Sequence, residues 1–428
     1  WLKFVIGVAL ASRCCWSMSR IESRWAAPPQ EVVDTILIYL TVEELQHSWA
    51  LGRVWAAALR EGEQLWRDAY ANEWRERTYD PWRDSERTWR RRAIKRLKMR
   101  SLWRSKQPTI STLMGQNGHT GTVTCARLDR HQGRTMVTGA DDGSLYLWNL
   151  KRPAITGELR SAPSGGLFHQ HYRQHTNAVT RQAQFHGHSG PVWCIDFDGT
   201  TLVSGGYDST LKVWNTDGGD LLVTLRGHQG WVSGLQVHGN SCASGSSEGE
   251  VKIWDLGTMD CRRTMTRDGS HSIHAVTWLS SAHPVMTGHE TVGSLTAWDP
   301  VRGGAVTWDD GAGAHTETVY ALASEGSVLC SGSKDKTAKL WDCRTERSVC
   351  TFKGHGASVL DVQLRDTVVA TASMDKTIRT WDIRNSCTPT AVLQGHSGPV
   401  FSVDFRDSLI VSGSQDTSIR LWTVASPG

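Results

Sequence analysis

Three residue types that carry out nucleophilic chemistry recur together along this 428-residue chain. His188 stands with Ser204 and Asp208, His315 with Ser331 and Asp335, His355 with Thr371 and Asp375, and His396 with Ser412 and Asp416. A histidine that takes a proton from a hydroxyl, while a carboxylate orients its ring, is the machinery of acyl transfer. Each copy, however, runs on to a tryptophan, Trp214, Trp341, Trp381 or Trp422, with the hydroxyl ten positions before it and the Asp six before it. Thr138, Asp142 and Trp148 keep the same spacing. A catalytic site occurs once, whereas a structural device is repeated. The sets therefore read as structure and the chain as a non-enzyme. A buried His, carboxylate and hydroxyl are costly unless each is hydrogen-bonded, and the indole N–H supplies one partner.

The elements that must position these sets are short strands. Seven strand-like runs close on tryptophan: LYLWN at Trp148, LKVWN at Trp214, VKIWD at Trp254, LTAWD at Trp298, AKLWD at Trp341, IRTWD at Trp381 and IRLWT at Trp422. After a first gap of 66 the spacings are 40, 44, 43, 40 and 41. A histidine precedes each: His119, His188, His228, His271, His315, His355 and His396. The interval to the Trp is 26 residues in five repeats, 27 in the fourth and 29 in the first.

A period near 40 with Gly-His and Trp-Asp signatures resembles the WD-repeat family, over residues 108–428. The resemblance implies an all-β seven-bladed propeller with four strands per blade. It also implies that the His, Asp, hydroxyl and Trp of each blade form one chain of hydrogen bonds. Two blades depart: the third has Glu248 where Asp is expected, and the fourth has one extra residue and Thr291 at the Asp position. The fourth chain of bonds is expected to be broken. No room remains after Trp422 for a last outer strand, so Thr109–Leu113 is expected to complete the seventh blade and remove its exposed edge.

Composition bounds the rest. With 39% hydrophobic residues, 21% charged residues and a net charge of +4, nothing in the balance by itself implies nucleic acid. The 21 Trp and 41 Gly suit many short strands that end on an aromatic anchor and turn on glycine. Ten Cys occur with no C-x-x-C pair and no metal-ligand spacing. Buried reduced thiols are expected, in a cytoplasmic or nuclear setting, with no metal and no cofactor. Phe4–Ala11 after Lys3 imitates a signal sequence. Because the chain starts with Trp, it is read instead as upstream sequence or a fragment boundary. No run reaches a membrane span.

Residues 1–24 are unassigned, and residues 25–70 change character. Val32, Val33, Ile36, Leu37 and Leu40 recur at helical spacing, Pro28 and Pro29 sit where a helix begins, and Thr41 with Glu44 forms a capping box. Pro29-x-Glu31-Val32, Ile36-Leu37-x-Tyr39-Leu40, Glu44-Leu45, Arg53-x-Trp55 and Leu65-Trp66-Arg67 resemble the F-box, a small all-α module. The sequence departs from that pattern at Ala27-Pro28, Gly52 and Gln46-His47. Residues 71–107 form a basic linker, rich in Arg and Lys from Arg83 to Lys106. It is read as a solvated helix, with RRRAIKRLK as a nuclear address.

The F-box and WD-repeat combination resembles the substrate receptors of SCF-type cullin–RING ubiquitin ligases. That resemblance implies a Skp-type adaptor, and through it a cullin, held by Pro29, Val32, Ile36, Leu37, Leu40, Leu45, Val54 and Trp55. It implies a substrate protein on the narrow top face of the propeller. Two positions per blade are assigned there: Asp141, Tyr207, Ser247, Lys334, Met374 and Gln415, and Thr124, Trp193, Ser233, Tyr320, Leu360 and Phe401, with Trp231 nearby. Among these, Trp193, Tyr207, Trp231, Tyr320, Lys334, Met374 and Phe401 are the chosen substrate contacts. With one Lys and no Arg, this set suits an apolar or aromatic grip rather than a phosphorylated one. The insertion 151–178, with His169, His171 and His175, reads as a loop. The alternatives are a plain WD-repeat scaffold in a signalling or RNA-processing assembly, and an RNA-associated protein using Arg83 to Lys106.

Overall fold

The computed structural model describes residues 108–423, apart from 114–117, 131–133, 151–178, 198, 200, 268–270, 280–283, 291–292, 309–310, 384–388 and 407. The chain divides after Lys98, and every described residue falls in the second part. The unassigned segment 1–24, the F-box-like stretch 25–70 with its eight adaptor positions, the linker 71–107 and the histidine-bearing insertion lie outside the described residues. Thr291 does too.

The described strands form seven antiparallel four-stranded sheets. Their innermost strands, in chain order, are Val123–Leu128, Val192–Phe197, Val232–His238, Ile273–Trp278, Val319–Glu325, Val359–Arg365 and Val400–Arg406. Each lies against the next, and the last lies against the first, so the sheets are the blades of a closed propeller. Closure is made as the sequence suggested. Thr109–Leu113 pairs antiparallel with Ile419–Thr423, Ile110 opposite Trp422, and supplies the seventh blade's outer strand.

The core follows from this geometry. Every blade is covered on both faces by neighbours, so its middle strands are buried along nearly their whole length. Thr201–Gly206 is one such strand, whereas the outer Leu221–Leu225 faces solvent. Seven apolar clusters result, one between each pair of adjacent blades, each holding one of the repeat tryptophans. All seven of these indoles are essentially removed from solvent. Glycine on the middle strands lets blades approach. A Cβ on Gly413 would lie 2.5 Å from Val123 Cγ1 of the first blade, closer than any real contact.

Two devices position what the ends of the blades display. In all seven blades the pairing of the first two strands slips at one residue, a bulge on the innermost strand. The bulged residues are Thr124, Trp193, Ser233, His274, Tyr320, Leu360 and Phe401, and a bulge re-aims a side chain away from the pleat. The turn between second and third strands is fixed by an amide hydrogen bond to the loop that enters the blade. The donors are Asp141, Tyr207, Ser247, Glu290, Lys334, Met374 and Gln415, at 2.8–3.1 Å. Both sets thus sit at the same end of every blade.

Candidate functional site

The repeated His sets close as structural relays. In the second blade Trp214 Nε1 donates to Ser204 Oγ at 2.8 Å, Ser204 Oγ lies 2.8 Å from His188 Nε2, and His188 Nδ1 lies 2.9 Å from Asp208 Oδ2. The carboxylate fixes the tautomer: Nδ1–H donates to Asp208, so Nε2 accepts the serine proton while the serine oxygen accepts from the indole. The fifth, sixth and seventh blades repeat this through His315, His355 and His396. Burial would raise these aspartates. Hydrogen bonds from the His and from Thr or Ser, as Asp375 receives from His355 and Thr377, outweigh it and hold the carboxyls well below the usual range. Each hydroxyl is thus fully buried and bonded to both its histidine and its indole, out of reach of a substrate.

Three blades differ from the expected relay. In the first, His119 Nδ1 lies 2.9 Å from Ser144 Oγ, and Ser144 passes the bond on to Asp142 at 2.5 Å. In the third, Glu248 does not reach the ring. His228 Nδ1 has no hydrogen-bond partner, and the nearest carboxylate is Glu250 Oε2 at 3.9 Å. In the fourth, His271 is exposed and is not the relay histidine. His289 is: its Nε2 lies 2.9 Å from Thr287 Oγ1, which accepts from Trp298 Nε1 at 2.8 Å. The assignment of His271 from spacing is corrected here, because the extra residue shifts the blade's histidine from the loop into the strand. The Trp, hydroxyl and His links are thus rebuilt around His289, while Thr291, at the expected Asp position, lies outside the described residues.

The face formed by the bulges and turns is the candidate site. Of the expected contacts, Trp193 (39% exposed), Tyr207 (55%), Trp231 (40%) and Met374 (46%) stand open. Tyr207 and Trp231 stack across the boundary of the second and third blades, with ring centroids 5.6 Å apart and planes 7° from parallel. Lys334 is exposed and lies 3.5 Å from Glu317. Tyr320 and Phe401 are half-buried. Thr124 and Ser233 are stitches rather than surface, since their hydroxyls bond the backbone of the next blade at Val192 and Ile273.

Two members of the face escaped the sequence reading, both in the fourth blade. His274 is that blade's bulge residue and meets Tyr320 edge-on at 5.5 Å, and Glu290 is its turn residue. Alignment on Thr287 instead of Thr291 would have found them. The sequence also gave no hint of the charges at the opposite end of the central channel. There Arg130 holds Asp196 with both carboxylate oxygens at 2.6–2.7 Å, Arg127 lies 3.0 Å from Asp361, and Arg365 lies 3.3 Å from Asp404. Asp404 also accepts from Leu128 N at 2.8 Å and Asp361 from Val403 N at 3.0 Å, so this belt staples the seam where the first blade meets the sixth and seventh.

Among the described residues, no cluster of His, Cys, Asp and Glu could hold a metal ion, and no helix is long and apolar enough to cross a membrane. Cys125, Cys194, Cys242 and Cys330 are free and buried, and burial pushes the Cys125 thiol up to about 12.

A family profile described as "WD domain, G-beta repeat" matches residues 109–149, 170–215, 219–255, 312–342, 346–382 and 387–423, more than half of the chain. The unmatched interval 256–311 contains most of the fourth blade, whose histidine is displaced. Among curated proteins, the chain is 27% identical over 192 residues to eukaryotic translation initiation factor 3 subunit I of Culex quinquefasciatus, covering 40% of this chain and 57% of the relative. It is 28% identical over 192 residues to the same subunit of Anopheles gambiae, again covering 40% and 57%. It is 25% identical over 254 residues to mitochondrial division protein 1 of Saccharomyces cerevisiae, covering 59% of this chain and 25% of the relative. The chain thus spans little more than half the length of the translation-factor relatives it matches.

Proposed function

The chain belongs to the WD-repeat family, and on that footing we propose that it is a non-catalytic scaffold whose bulge-and-turn face holds another protein within an assembly. The observation that carries this reading is the display of Trp193, Tyr207, Trp231 and Met374 on one end of a rigid ring. Large aromatic side chains lose little conformational entropy on burial and anchor protein interfaces. The names of the relatives support the same reading: one is a subunit of a larger factor, and another is a division protein, so proteins similar to this chain serve unrelated processes. Tyr320, Phe401 and Lys334 would border the contact. The test is cross-linking of the whole chain in extract, with Trp193, Tyr207 and Trp231 together changed to Ala. Loss of the same cross-linked partner from the triple variant, with unfolding unchanged, supports the reading. Retention of every partner overturns it.

A second reading rests on the F-box-like run from Pro29 to Arg67. In it the chain is a substrate receptor of an SCF-type ubiquitin ligase, with Pro29, Val32, Ile36, Leu37, Leu40, Leu45, Val54 and Trp55 facing a Skp-type adaptor. Binding of purified adaptor that Leu37→Asp plus Trp55→Ala abolishes would decide for it. Absence of binding by folded wild type leaves the scaffold alone.

A further inference from the structure

The interaction face is electrostatically divided. In the turns between the second and third strands of the first four blades, every described charged side chain is a carboxylate. Asp141, Glu248 and Glu290 are exposed in the first, third and fourth blades. Asp142 and Asp208 add their charges from within the His relays. The lysines of the face, Lys334, Lys336 and Lys376, belong to the fifth and sixth blades, and Lys334 already faces Glu317. Arg226 and Arg267 lie in the entry loops of the third and fourth blades, just after the outer strands Leu221–Leu225 and Asp260–Met265, and Arg267 bonds Thr307.

The exposed aromatics fall on the acidic half. Tyr207 and Trp231 stack on each other and still keep 55% and 40% of their surface exposed. Glu248 adjoins them: a Cβ on Gly230, the residue before Trp231, would lie 3.1 Å from Glu248 Cγ, and Ser247 N donates to Trp231 O at 3.0 Å. Ring faces carry negative quadrupole charge and attract guanidinium and ammonium groups, more strongly beside carboxylates.

We propose that this half of the face takes a basic segment of a partner polypeptide, with one cationic side chain seated against the Tyr207–Trp231 pair and flanking cations over Glu248, Glu290 and Asp141. This rests on the reading of the face as a protein-interaction surface and names the chemistry of the occupant. The same charge argues against an acidic or phosphorylated segment, which these carboxylates would repel.

The probe is a fluorescein-labelled Arg-Gly-Arg-Gly-Arg-Gly peptide, with its Glu-Gly counterpart, in anisotropy titrations against the whole chain. The expected result is binding of the arginine peptide only, weakened by salt, and weakened at least about ten-fold by Trp231→Ala. Trp231→Phe should retain most of the affinity, which separates the ring from mere folding. Glu248→Lys with Glu290→Lys should abolish binding, while Lys334→Glu should leave it unchanged or tighter. Equal binding of the glutamate peptide overturns the proposal, as does arginine-peptide affinity indifferent to both Trp231→Ala and the charge reversal. If neither peptide binds while the triple aromatic variant still loses its cross-linked partner, the cationic occupant is wrong and the interaction face stands.

Discussion

His289 Nε2 lies 2.9 Å from Thr287 Oγ1, two residues away on the same strand, and so occupies from inside the sheet the place that a loop histidine takes in the other six blades. Thr287 is thereby bonded to both His289 and Trp298, as its counterparts are in their own blades. The fourth blade keeps the Trp–hydroxyl–His links while abandoning the spacing. His289→Ala should therefore destabilise the propeller by about 1–3 kcal/mol, the cost of leaving a buried hydroxyl short of a partner. His271→Ala, at an exposed site, should change it by less than about 0.5 kcal/mol. Chemical denaturation of the two variants checks the assignment, and equal losses would return the role to His271.

The same histidine sets a pH dependence. Burial pulls His289 down to about 4, and burial pulls His228 down to about 3. Both sit below the value near 6.5 expected of an unfolded histidine. Between those limits the unfolded chain binds more protons than the folded one, so stability rises with pH and falls as pH drops from about 6.5 towards 4. His289→Gln should flatten part of that fall. Denaturation midpoints measured from pH 7 to 4 read it directly, and an unchanged slope would contradict the burial of this ring.

His228 is a defect that a single atom's length accounts for. In four other blades an aspartate twenty residues after the histidine reaches its Nδ1, whereas here the residue at that position is Glu248 and Nδ1 is unpartnered. Glu248→Asp should bring the carboxylate to the ring and stabilise the third blade by about 1 kcal/mol. A thermal shift upward supports this, and a shift downward would mean that Glu248 already holds something the shorter side chain cannot.

Asp375 accepts from His355 Nδ1 at 2.8 Å, Gly356 N at 2.9 Å, and Thr377 N and Oγ1 at 3.0 and 2.6 Å. Although burial opposes it, these bonds hold the carboxyl well below its usual value near 3.8. Its contribution is thus complete above that value and lost as pH falls further. Asp375→Asn should cost about 1–3 kcal/mol at neutral pH and less at pH 2, where the wild-type carboxylate has itself been weakened. A loss independent of pH would point to packing instead.

Closure of the ring depends on two separate devices. Ile110 packs on the cluster that includes Trp422, and Leu113 on that around Trp148. Ile110→Asp with Leu113→Asp should unpair the first strand and bare the edge of Ile419–Thr423, which invites strand-to-strand association. At the channel end, Arg127→Ala would leave Asp361 without its ion partner, Asp404 keeping Arg365, and should cost about 1–3 kcal/mol. Light scattering should rise in the first variant, and the unfolding midpoint should fall in the second. A monodisperse first variant of wild-type stability would show that closure needs neither contact.

Much of this was legible because the propeller is a repeat. Seven tryptophans at a near-constant period require seven equivalent environments, and antiparallel pairing sets a hydroxyl ten residues before the Trp diagonally across from it on the same face, since Leu202 pairs with Trp214 and Ser204 with Lys212. The fourth blade escaped because one inserted residue moves the histidine out of the counted interval, and only distances reveal that His289 fills the site. Arg127, Asp361 and Asp404 escaped for another reason. Arg127 lies 234 positions from its ion partner, and no local pattern links residues that meet only when the ring closes.

The amino-acid sequence by itself thus determined the blade, its strand order, the Trp anchors, and the borrowing of Thr109–Leu113 for the last edge, since each follows from local period and burial. Only the tertiary structure decided how side chains from different blades meet. The stack of Tyr207 on Trp231, the acidic half of the rim and the charged belt of the channel each join different blades. The angle and spacing between blades come from packing of whole sheets against one another, a property of the closed ring and not of any one repeat.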